Sequence, residues 1–72
     1  MTLNDAAEGR EYVIREIETG DGNGELVSFL FSLGCYSGET ITVVSRKKGG
    51  LVVSIKDARY NIDPQPAGAI HI

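Results

Sequence analysis

Among its 72 residues this chain has one cysteine, one histidine, two prolines and no tryptophan. A single cysteine excludes an internal disulfide and any Cys-x-x-Cys redox or metal pair. The lone His71 excludes a pair of histidines at metal-ligating spacing, and the acids are scattered at positions typical of solvated surfaces. No transition-metal site of several imidazole and carboxylate ligands is therefore expected. Cys35 and His71 fall on separate elements, so no nucleophile stands beside a base, and no catalytic, cofactor-binding or metal-binding residue is assigned. Cys35, in a turn after a helix C-terminus, reads as a small packed residue, and His71 alternates with Ile70 and Ile72 on the last strand. Apolar runs are only a few residues long, too short to span a bilayer. The opening MTLNDAAEGR has no basic start followed by an apolar segment. The expectation is a cytoplasmic protein with no secretory leader and no direct insertion into a membrane.

What the sequence does hold is an amphipathic segment between glycines. In ELVSFLFSLG, Leu26, Phe29, Leu30 and Leu33 recur at the spacing of one helical stripe, and Gly34 follows where a left-handed C-cap belongs. This predicts a helix over 25–33, with Val27 and Phe31 together on its flank. Cys35 to Gly38 forms a second turn, and Ile41 to Val44 is strand-like. A chain this short forms one domain, here 1–72, with a thin core that buries roughly 60% of the unfolded surface.

Before the helix, Thr2 and Asp5 predict a capped single turn, and Glu11 to Glu18 reads as one bending strand with Tyr12 and Ile14 on one face. Thr19 to Gly24 is a loop. As a calcium-binding loop it fails at both ends, with Thr19 first and Leu30 last, and as a dinucleotide fingerprint it fails at Glu25. After the helix come strand signals at 40–45, 51–56, 59–62 and 69–72, separated by Arg46 to Gly50, by Asp57 with Ala58, and by Asp63 to Gly68, where at most one helical turn fits. Close turns between short strands imply a barrel or rolled sheet, because closure removes exposed edges. The fold class is mainly β: a small barrel of about five strands, with the helix inserted after the first.

The order of these elements, with Leu33-Gly34, Ser37-Gly38, Ile41-x-Val43-Val44 and the ending Ala67-x-x-Ile70-x-Ile72, resembles the FeoA domain along nearly the whole chain. The resemblance implies an SH3-like barrel in a small cytoplasmic accessory protein of bacterial ferrous iron transport. It also implies a partner, the cytoplasmic domain of the membrane GTPase FeoB. The chain departs from the family in carrying Val27, Ser28, Phe31 and Ser32 on the outward side of the helix, Ser37 before the turn glycine, and Asp57-Ala58 in a hairpin. Although the family carries a metal-ion association, these residues predict service to iron transport without holding iron.

Charge is uneven. Residues 1–39 carry eight acids against two arginines, while Arg46, Lys47, Lys48, Lys56 and Arg59 stand against Asp57 alone. The candidate protein-binding residues are Val27, Phe31, Tyr36, Arg46, Lys47 and Lys48. With a net charge of −3 no DNA partner is expected. The alternative is an SH3-like module for nucleic acid or peptide unrelated to iron, and self-association through the helix flank is a third reading.

Overall fold

The stretch read as one strand breaks in two, and that break organises the molecule. A computed structural model describes residues 1–20, 22 and 24–72; Asp21 and Asn23, within the expected loop, lie outside the described residues. Strand β1 (Glu11–Val13) pairs antiparallel with β3 (Thr40–Lys47), and β2 (Glu16–Ile17) pairs antiparallel with β6 (Ile70–His71). Between them Ile14 is buried, its N–H donating to Glu39 O at 2.8 Å and its carbonyl accepting from Gly38 N–H at 2.8 Å. Arg15 N–H goes to His71 O at 2.7 Å, while the Ser37 hydroxyl donates to Arg15 O at 2.8 Å. Its backbone groups thus change partner in the middle of the stretch, which an alternating sequence does not announce.

A four-stranded sheet has the order β1-β3-β4-β5, with β4 at Gly50–Ile55 and β5 at Ala58–Ile62; β2 and β6 form a two-stranded sheet beside it. The described residues therefore make six strands, not five, in two sheets that roll together without a closed ladder. In β4 the pattern alternates strictly: Leu51, Val53 and Ile55 are buried and Gly50, Val52 and Ser54 are half-buried. This is the signature of a strand with one buried face. Helix α1 (Gly24–Ser32) covers one side of the core, and the short helix α2 (Pro64–Ala67) leads into β6. At the N-terminus Leu3–Asp5 makes the expected single turn, with Thr2 N–H donating to Asp5 Oδ2 at 3.0 Å. Asn4 Nδ2 ties that turn to Pro64 O at 2.9 Å.

The end of α1 is a Schellman motif. Cys35 N–H donates to Leu30 O at 3.1 Å and Gly34 N–H to Phe31 O at 3.0 Å, so two carbonyls that the helix leaves open are satisfied. The motif needs a left-handed residue, and Gly34 has φ +94°. The two residues that the motif usually brings together, Leu30 and Cys35, are both fully buried in the core cluster. A Cβ at Gly34 would meet Ile55 Cγ2 at 3.5 Å, an ordinary contact, so the cost of a side chain there is in the backbone. Gly34→Val is expected to lower the unfolding free energy by about 1–2 kcal/mol, measured by urea denaturation. Unchanged stability would contradict a left-handed cap.

Candidate protein-docking face

The direction of α1 decides what its flanks present. At 100° per residue, an arc centred between Leu26 and Leu30 faces the sheets; Leu30 is fully buried and Leu26, Val27 and Leu33 are half-buried. Phe29, expected within the buried stripe, is 43% exposed, because the helix is turned so that Val27 takes the sheltered margin in its place. Phe31 is 40% exposed, on the far flank from Phe29 at roughly 160° around the helix.

Phe31 does not stand alone. The turn after Gly34 brings the Tyr36 ring to a centroid distance of 5.4 Å from Phe31 with 22° between the planes, a stacked pair. Tyr36 is itself 45% exposed. The turn is held by Glu39 N–H to Tyr36 O at 3.0 Å, with Gly38 at φ +93° as the third residue of a type II turn requires. Lys56 Nζ also lies over the Tyr36 ring, 5.6 Å from its centroid and 3.6 Å from Glu39 Oε1. Lys56 sits with Asp57 in a two-residue hairpin turn, both at positive φ (48° and 68°), a conformation strained for lysine. The pairing of β4 with β5 places it there, far in sequence from Tyr36. The result is an apolar step of two stacked rings edged by a cation, the composition of an interface core beside its rim.

The basic candidates lie elsewhere. Strand β3 runs from Thr40, next to this face, to Lys47, roughly 20 Å away at the rise of an extended strand. Lys47 and Lys48 are exposed at that far end. Arg46 is occupied: its guanidinium donates to Ala6 O and, at 2.8 Å, to Asn4 O, and its backbone N–H donates to Glu8 Oε2 at 2.8 Å. It fastens the N-terminal turn to the sheet. The six candidates therefore form two groups, Val27, Phe31 and Tyr36 at one end and Arg46, Lys47 and Lys48 at the other. Sequence reasoning missed Lys56 as a member of the first group; its only signal was the two-residue hairpin, which required the strand partners to be known.

The remaining chemistry is quiet. Cys35 is fully buried, and burial pushes its thiol up to about 11. Because this folded value lies above the unfolded one, the unfolded chain ionises first. Stability is therefore insensitive to the thiol below pH 9.0 and falls as pH rises from there towards about 11. In accord, Cys35 is expected to resist a thiol reagent at pH 8 in the folded protein and to react on unfolding; rapid native labelling would contradict its burial. His71 is half-buried, its Nε2 3.3 Å from Glu18 Oε1. Among the described residues no three His, Cys, Asp or Glu side chains come together as a metal site, and no helix is long and apolar enough to cross a membrane.

In comparison with known families, the FeoA domain matches residues 1–72. A comparison with curated proteins returns no match. Similar solved structures include an iron uptake regulatory protein (FeoA), 24% identical, with a TM-score of 0.84 over 97% of this chain and 91% of that one. A second is Stenotrophomonas maltophilia FeoA complexed with zinc, 20% identical, TM-score 0.87, covering 97% and 86% of the two chains. A manganese-dependent transcriptional repressor, 21% identical with a TM-score of 0.84, shares the fold across 97% of this chain and 39% of its own. These likenesses support the SH3-like fold.

Proposed function

The chain belongs to the FeoA domain family, and from that premise we propose that it is an accessory protein of ferrous iron transport that docks on the cytoplasmic domain of FeoB. The reading is of a non-enzymatic protein acting in the cytoplasm through contact alone. The observation that carries it is the exposed Phe31–Tyr36 stack, positioned by a glycine-capped helix and a type II turn. Rigid aromatics bind with little loss of side-chain entropy, which is why they dominate the energetics of protein contacts. Val27, half-buried one helical turn before Phe31, adds apolar surface on the same flank, and Lys56 gives it a positive edge. Immobilised FeoB cytoplasmic domain is expected to retain the parent protein and to release it on Phe31→Ala; equal retention of both would contradict docking through this face.

Nucleic-acid binding is less well supported than the sequence allowed. With Arg46 committed to the carbonyls of Asn4 and Ala6, the hairpin presents only two free lysines to a phosphate backbone.

A further inference from the structure

Strand β5 is the outer edge of the four-stranded sheet, and its pairing with β4 is regular from Leu51↔Ile62 to Ile55↔Ala58, with no bulge and no proline. A two-residue hairpin makes Ile55↔Ala58 a hydrogen-bonded pair, and the alternation of an antiparallel ladder then assigns Tyr60 and Ile62 to β4 as well. The N–H and C=O of Arg59 and of Asn61 consequently point away from the sheet. Among the described residues neither engages in any other backbone hydrogen bond, and both residues are exposed. The opposite edge, β1, is three residues long and ends where the chain bends at Ile14, which blunts it as a template.

We propose that β5 is a self-association edge, pairing antiparallel with β5 of a second copy of this chain about a two-fold axis at Tyr60. That register satisfies all four outward groups. Arg59 of each copy exchanges both backbone hydrogen bonds with Asn61 of the other, and the tyrosines meet across the non-hydrogen-bonded position. Side-chain chemistry selects the same register. On the outer face each guanidinium lies opposite an Asn61 amide oxygen, an acceptor; on the inner face Tyr60, half-buried against the core, extends the apolar layer towards its counterpart. An axis at Arg59 would set two guanidinium groups opposite one another. An axis at Asn61 would bring Arg59 opposite Asp63, which lies beyond the end of β5 as the N-cap of α2, so the ladder would run off the strand there. The edge differs from the Phe31–Tyr36 face, so the proposal does not depend on the docking partner.

Sedimentation of the full chain over about a hundredfold range of concentration tests it. A monomer–dimer equilibrium is expected, shifted to monomer by Asn61→Pro, which removes only an outward N–H and leaves the β4 pairing intact. Asn61→Asp should tighten the dimer several-fold by facing Arg59, and Asn61→Arg should weaken it. Because Cys35 is buried, Tyr60→Cys should give a disulfide-linked dimer under mild oxidation, as neighbouring Cα atoms in that position are within disulfide reach. A parent protein monomeric throughout, or a dimer that persists in folded Asn61→Pro with no Tyr60→Cys cross-link, would overturn the proposal.

Discussion

Leu30→Ala is expected to lower the unfolding free energy by about 2–5 kcal/mol, the range for removing a fully buried leucine from a core that cannot close over the hole. Leu30 is completely inaccessible and lies where the helix, the glycine cap and the sheets meet, its carbonyl accepting from Cys35 N–H. Only fourteen apolar residues are buried among the described residues, four of them alanine or cysteine. A domain of this size has a stability of only about 5 kcal/mol to lose, so the variant should be partly unfolded at moderate temperature. Phe29→Ala provides the internal contrast. With 43% of the residue exposed, the change should be much milder, although a purely periodic reading of the helix treats the two positions alike. Denaturation curves that rank Phe29 above Leu30 would mean the helix is turned the other way.

Phe31→Ala is expected to weaken binding to the FeoB cytoplasmic domain by about 2 kcal/mol or more, roughly thirtyfold, while leaving the fold almost unchanged. Phe31 is 40% exposed and lies outside the core cluster, so its removal leaves the core in place, yet it removes one half of a stacked pair and frees Tyr36 to move. Calorimetric titration gives the affinity and a parallel melt gives the stability. An affinity within twofold of the parent would place the partner surface elsewhere, and a large stability loss would make Phe31 a core residue.

The helix, its stop and the following turn were legible because three independent signals agree there: a stripe at helical spacing, a glycine at the C-cap and a second glycine at the turn. The strands were legible from β-branched runs, and the buried Cys35 from its place after the helix. What was not legible depends on partners distant in sequence. The split at Ile14 is dictated by Glu39, Gly38 and His71, which compete for backbone groups that a local pattern treats as equivalent. The rotation of α1 escaped because arcs containing Phe29 or Val27 fit the stripe almost equally well. Arg46 looked like a surface cation and is instead an anchor, since the carbonyls of Asn4 and Ala6 that receive it come from the other end of the chain. Lys56 joins the aromatic step only through the β4–β5 turn.

The central claim is that a helix fixed between the sheets and a left-handed glycine presents Phe31 and Tyr36 to another protein. Its most direct test is a titration of isotope-labelled protein with the FeoB cytoplasmic domain, followed residue by residue in amide and aromatic NMR spectra. The account predicts that Phe31, Tyr36 and Lys56 shift together and saturably while Lys47 and Lys48, at the far end of β3, stay still. Shifts confined to Lys47 and Lys48, or none at all at saturating partner, would contradict it.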